Sequence, residues 1–193
     1  MNTAAWSPVS LAVVSAGAGA GRPRPTRGLA DLVAEAVCRS LAAGGARAEV
    51  EVLELYRLTA DLARHAARSR AGLDLREAIA AVVAADGLVV ATPVLAGSPS
   101  AVFDSFFAVL GAGVLSGMPV LLALDSRSLW QPPDLAQAIG RRLTDVRAVP
   151  VPTVVVAGPA DRQATTRGDA ARLHACIGRA ASELAAAMRS HRQ

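Results

Sequence analysis

Lysine is absent from this chain, and aromatic residues make up only 3% of its 193 residues. All 20 basic residues are therefore arginines, and they are dispersed among 16 acidic residues, which leaves a formal net charge of +4. A nucleic-acid interface needs a patch of clustered basic charge, and unpaired bases stack on aromatic side chains. The composition therefore argues against a nucleic-acid partner.

The sequence also lacks long apolar runs, a disulfide pattern and metal-ligand clusters. No stretch approaches the roughly 20 apolar residues that span a bilayer, and the start, MNTAAWSPVS, lacks the basic region of a secretory signal. The two cysteines, Cys38 and Cys176, lie far apart in helical patterns, which favours reduced thiols. The three histidines are scattered without metal-ligand spacing. We therefore expect a soluble cytoplasmic protein with neither a metal site nor a membrane partner.

Five apolar runs alternate with helical patterns along the chain. The runs cover residues 11–15, 48–55, 87–93, 119–124 and 151–157. Helical spacing covers residues 29–45, 76–86, 100–113, 132–146 and about 169–188. Several runs are rich in valine, as parallel strands buried on both faces are. A chain of this length fits one domain over residues 1–193, with its core at about 10–187.

This alternation predicts an α/β fold with a three-layer, flavodoxin-like, doubly wound sheet of five parallel strands in the order 2-1-3-4-5. The second run alternates apolar residues with glutamates, which is typical of an edge strand and fits this order. In such a sheet the ligand lies beyond the carboxyl ends of strands one and three. The segments to consider are therefore 15–27, 92–100 and 125–132.

The first segment contains GAGAGRPRPTRG (17–28), a glycine-rich turn between a strand and a helix. Free amides and the dipole at a helix start favour an anion. Pro23 and Pro25 each remove an N–H from this turn, so a simple flexible turn with Thr26 as the helix cap is the other interpretation. The side chains that could bind an anion here are Ser15, Arg22, Arg24, Thr26 and Arg27.

The other two segments offer different chemistry. In TPVLAGSPSAVF (92–103), amides and hydroxyls around Gly97, Ser98 and Ser100 could bind a flat heterocycle, although Ser100 also suits a helix cap. The phenylalanines that follow have the spacing of a buried helix stripe. In DSRSLWQPP (125–133), Asp125 could accept hydrogen bonds or act as a base, and it also suits a turn.

Residues 85–124, ADGLVVATPVLAGSPSAVFDSFFAVLGAGVLSGMPVLLAL, resemble the central part of NAD(P)H-dependent FMN reductases of the flavodoxin-like superfamily. The strand LAVVSAG and the residues from Thr26 to Ala30 resemble the phosphate-loop region of that family. The resemblance implies an enzyme with FMN as cofactor and NAD(P)H as co-substrate. It would supply reduced flavin to a flavin-dependent monooxygenase or reduce a small electrophile such as a quinone, and it would form a homodimer or homotetramer.

The same resemblance assigns residues to the flavin site. It implies that Ser15, Thr26 and Arg27 bind the FMN phosphate and that the ring lies beside residues 92–98. The positions next to the ring are Thr92, Pro93, Val94, Leu95, Gly97 and Ser98. The third flavin loop corresponds to Asp125, Ser126 and Arg127, where Arg127 could bind the nicotinamide phosphate. Hydride passes directly from nicotinamide to flavin, so no catalytic acid or base is predicted.

The chain departs from the family pattern in two of these loops. Arg24 and Pro25 stand where a serine usually precedes the threonine, and Asp125, Ser126 and Arg127 stand where glycines usually let the backbone approach the ring. These departures leave a second hypothesis open. A flavin-free protein of the same fold would act as an interaction subunit or carry a repurposed small-molecule pocket.

Overall fold

The computed structural model describes residues 8–17, 25–95, 98–126, 135–159, 161 and 167–192. The strands are β1 (Val9–Ser15), β2 (Ala48–Glu54), β3 (Gly87–Leu95), β4 (Ser98–Pro99), β5 (Pro119–Ser126), β6 (Val149–Pro150) and β7 (Val155–Ala157). The helices are α1 (Pro25–Ala43), α2 (Thr59–Arg68), α3 (Leu73–Ala84), α4 (Ala101–Leu110), α5 (Leu135–Asp145) and α6 (Arg167–His191), and Leu55–Leu58 form a 3-10 helix.

The described strands form one sheet in the order β2-β1-β3-β5-β6. These neighbours pair in parallel, β7 also pairs with β5, and the short β4 pairs antiparallel with β3. The predicted fourth strand is β5, and the predicted fifth strand contains β7 and directly follows β6, both of which pair with β5. The predicted flavodoxin-like order 2-1-3-4-5 is therefore confirmed, with β2 at the edge.

Consecutive residues of each central strand enter two different apolar cores. In β3, Leu88 and Val90 belong to a core shared with α2, α3, α4 and α5. Val89 and Ala91 belong to a core shared with α1 and α6. Parallel strands covered on both faces bury apolar side chains on both, which explains the continuous apolar runs. The sheet is thus the middle of three layers.

The predicted boundaries were wrong at several elements. Helix α2 was not predicted, because Leu62 is its only large apolar residue and its only buried one. The predicted strand 151–157 forms only at its end, as β7, while the short β6 comes just before it; Pro152 between the two has no N–H to donate to the sheet. Strands β3 and β5 run on through Leu95 and Ser126, so residues predicted to lie in loops belong to strands.

Among the described residues, no helix is both long and apolar enough to cross a bilayer. The same residues contain no group of histidine, cysteine and acidic side chains arranged to hold a metal ion. Cys38 in α1 and Cys176 in α6 are both half-buried free thiols that pack against the same core.

Candidate functional site

Buried polar side chains in the described part of the chain gather at the carboxyl edge of the sheet. They lie at the ends of β1, β3 and β5 and at the starts of α1 and α4, and none is more than 7% exposed. Burying a polar group costs free energy unless it is hydrogen-bonded, so each of these side chains needs a partner in the fold or on a ligand. This carboxyl-edge cluster consists of Ser15, Thr26, Thr92, Ser100, Asp125 and Ser126.

Thr26 and Asp125 link the first helix to β5. The hydroxyl Oγ1 of Thr26 donates a hydrogen bond to Oδ2 of Asp125 at 2.8 Å, and both side chains are buried. Helix α1 begins at Pro25, so Thr26 lies inside its first turn. The alternative prediction, in which Thr26 precedes the helix as its cap, is therefore wrong. The bond ties the first turn of α1 to the end of β5.

Ser100 connects the other members of the cluster. It is the N-cap of α4, where its Oγ accepts a hydrogen bond from the Phe103 amide at 3.4 Å and donates to the Ala16 carbonyl at 3.0 Å. The Ser100 amide in turn donates to Thr92 Oγ1 at 3.3 Å. The cap interpretation of Ser100 is confirmed, but its hydroxyl also holds α4 against the segment that follows β1.

The first turn of α1 has the features of an anion site. Pro25 has no N–H, and the amides of Thr26 and Arg27 lack partners within the helix by its geometry. The first turn carries no acidic side chain. A Cβ built on Gly17 would lie 3.1 Å from Cβ of Thr26, so the chain leaving β1 passes directly over this turn. A negatively charged ligand group would be favoured here.

Arg27 lies on the outer side of this turn, between α1 and β2. Its Nε lies 2.8 Å from Asp31 Oδ1, and its Nη1 lies 3.5 Å from Glu54 Oε1 at the end of β2. Glu54 also lies 3.1 Å from Nε of Arg57. The guanidinium of Arg27 therefore already faces two carboxylates, and its role as a phosphate ligand stays a prediction.

The predicted ring-binding segment is a strand end and a tight hairpin. Val94 pairs with Pro99 across the β3–β4 hairpin. On the other side of β3, Pro93 pairs with Asp125 and Val94 with Ser126. The backbone of the second predicted segment thus lies directly beside that of the third. Ser98 is exposed at the hairpin, next to the buried cluster.

The structure brings together Ser15, Thr26, Thr92, Asp125 and Ser126, as the sequence predicted for one site. Four further predicted residues, Arg22, Arg24, Gly97 and Arg127, lie outside the described residues, as does the side chain of Leu95. Sequence reasoning missed Glu54 as the partner of Arg27. Its position as the last glutamate of an edge strand beside strand one was the available signal.

Comparison with known proteins agrees with the fold. A family model described as NADPH-dependent FMN reductase matches residues 11–162. The structure of an oxidoreductase from Corynebacterium diphtheriae is 36% identical in sequence, with 95% of this chain and 98% of that chain covered and a TM-score of 0.87.

Two more distant structures share the fold. An NADH:FMN oxidoreductase in its apo form is 21% identical, with 90% of this chain and 88% of that chain covered and a TM-score of 0.68. An NAD(P)H:quinone oxidoreductase from Methanothermobacter marburgensis is 17% identical, with 92% of this chain and 96% of that chain covered and a TM-score of 0.60. None of the functionally curated proteins matches the chain in sequence.

Proposed function

The chain belongs to the NADPH-dependent FMN reductase family, and from this premise we propose that it binds FMN at the carboxyl edge of its sheet and oxidises NAD(P)H there. Membership in this family, together with the similar oxidoreductase from Corynebacterium diphtheriae, makes the chain an oxidoreductase. The observation that carries the assignment of the site is the carboxyl-edge cluster, because it collects buried polar groups where ligands bind in sheets of this order.

The phosphate of FMN fits the first turn of α1. The amides of Thr26 and Arg27 and the buried hydroxyl of Ser15 supply donors, and the helix dipole favours negative charge. Gly17 leaves the room that a side chain would fill beside Thr26. These features support a phosphate cradle even though Pro25 removes one amide from it.

The flavin ring fits beside the β3–β4 hairpin. Pro93 and Val94 are buried at this strand end, and Ser98 is exposed beside them at the hairpin. The bonds of Ser100 to Ala16 and Thr92 hold this hairpin against the end of β1. The chain would thus orient the ring and shield one of its faces from water.

FMN, when bound, supplies the two-electron acceptor for the hydride of NAD(P)H. The chain's own contribution is to bind and align the two ring systems, which requires no acid or base side chain. A cluster of five hydroxyl side chains and one carboxylate is consistent with this role. We further propose that the reduced flavin goes to a flavin-dependent monooxygenase or to a small electrophile such as a quinone, and that the protein works as a homodimer or homotetramer.

A flavin titration tests this function. The visible spectrum of freshly purified protein and the quenching of FMN fluorescence should show saturable binding near 1 μM, roughly 8 kcal/mol. FMN-dependent oxidation of NADH and NADPH should follow. Absence of quenching at about 1 mM FMN, an affinity of only about 4 kcal/mol, would refute the proposal and favour the flavin-free alternative.

A matched pair of serine variants tests the location of the site. Ser15→Ala should weaken FMN binding about tenfold or more, because a hydrogen bond to a charged group contributes about 1.5–3 kcal/mol. Ser10→Ala makes the same change at the opposite end of the same strand and should leave the affinity unaltered. Equal effects of the two substitutions would place the flavin elsewhere.

A further inference from the structure

We propose that Asp125 sets how strongly the site prefers a phosphorylated flavin over an unphosphorylated one, because it holds the proton of the Thr26 hydroxyl. This inference rests on the proposed FMN site and adds a specificity-determining residue to it. The observation behind it is the 2.8 Å bond from Thr26 Oγ1 to Asp125 Oδ2.

The Thr26–Asp125 bond is shielded from solvent. Thr26 is 4% exposed and Asp125 2% exposed, so water has little access to either partner. Hydrogen bonds to a carboxylate are short and strong, and a low-dielectric surrounding strengthens them further. The hydroxyl proton of Thr26 is therefore committed to Asp125 and not readily turned toward a ligand.

A threonine hydroxyl has one proton to donate and two lone pairs that accept. With its proton on Asp125, Thr26 can offer a ligand only lone pairs. A phosphate dianion also offers only acceptors, so the two cannot form a hydrogen bond. The cradle thus has one donor fewer for phosphate than its residue types suggest.

The comparison of FMN with riboflavin isolates this effect, since the two differ only in the phosphate. In Asp125→Asn the carboxamide keeps the shape of the side chain, and its NH2 can donate to Thr26 Oγ1. The Thr26 proton is then free for the phosphate. The substitution should raise the ratio of the riboflavin Kd to the FMN Kd about tenfold, equivalent to about 1.4 kcal/mol.

The matched control is Asp145→Asn, which makes the same chemical change at an exposed position. Asp145 ends α5 at the opposite edge of the sheet, where its carbonyl accepts from the Gly113 amide. Fluorescence quenching gives both Kd values for the wild type and for each variant. The ratio should stay unchanged in Asp145→Asn. An unchanged ratio in a folded Asp125→Asn protein would overturn the inference.

Thr26→Val provides a test that does not depend on the folding of Asp125→Asn. If the Thr26 hydroxyl donates no hydrogen bond to the phosphate, Thr26→Val alone should change the ratio of the riboflavin Kd to the FMN Kd by less than about twofold. A change of that size is usual for groups that do not interact. In the Asp125→Asn background the same substitution should remove the tenfold gain. A tenfold loss from Thr26→Val in the wild-type background would refute the inference while leaving the flavin site intact.

The outcomes also separate this inference from the function it rests on. A wild-type protein that binds neither flavin overturns both. A wild-type protein that binds FMN, together with variants whose ratios do not respond as described, overturns only the role of Asp125.

Discussion

Replacing Ser100 with alanine should destabilise the protein more than the loss of one ordinary hydroxyl would. Ser100 Oγ caps α4 through the Phe103 amide and donates to the buried Ala16 carbonyl. Loss of the cap costs about 1 kcal/mol, and loss of the donor to a buried carbonyl costs about 1–2 kcal/mol. We therefore expect the free energy of unfolding to fall by about 2–3 kcal/mol.

Urea denaturation followed by circular dichroism measures this difference. With a slope of about 2 kcal/mol per molar urea, the midpoint of Ser100→Ala should fall by roughly 1–1.5 M. Ser105→Ala is the control in the same helix. Its hydroxyl makes one exposed bond, to the Ala101 carbonyl at 2.9 Å, so its effect should stay within about 0.5 kcal/mol. Equal midpoints for the two variants would refute the reasoning that Ser100 joins three segments.

Two further predictions concern a glycine in β3 and a half-buried thiol. Gly87→Ala should lower the unfolding free energy by about 1–3 kcal/mol in thermal melts, because its Cβ would lie 2.6 Å from Cγ of the buried Met188. A Cβ built on Gly140 has no atom within 4 Å, so Gly140→Ala should raise the unfolding free energy by up to about 1 kcal/mol. A change of the same sign in the two glycine variants would contradict this reasoning. Burial raises the pKa of the Cys38 thiol, so iodoacetamide should modify Cys38 more slowly than free cysteine near neutral pH and faster as the pH rises. Peptide mass spectrometry measures both rates, and equal rates would show that the thiol is not shielded.

The strand order could be predicted because it depends on patterns that the sequence displays directly. The valine-rich runs reflect burial on both faces of the sheet, and the glutamates of β2 reflect its edge position. Helix α2 could not be predicted in the same way. Leu62 is its only large apolar residue and its only buried one, so its sequence lacks the repeated large apolar positions that mark the other helices.

The composition of the site was predictable, but its connections were not. Polar residues at the carboxyl ends of neighbouring parallel strands must meet at one edge, which is why Ser15, Thr92 and Asp125 were expected together. Nothing in the sequence spacing pairs Thr26 with Asp125. That bond depends on the tilt of α1 relative to β5, which is set by side-chain packing along both elements.

The arrangement of the core around α1 and α6 has a consequence for how the chain folds during synthesis. One face of β1, β3 and β5 is covered only by these two helices among the described elements. Helix α6 spans Arg167–His191, so it leaves the ribosome after every strand of the sheet. Until α6 has been synthesised, only α1 can pack on that face of the sheet. The apolar side chains that α6 later covers are exposed, so they can bind chaperones or aggregate. The nascent chain would therefore reach its stable form late, in one step that joins distant parts of the sequence.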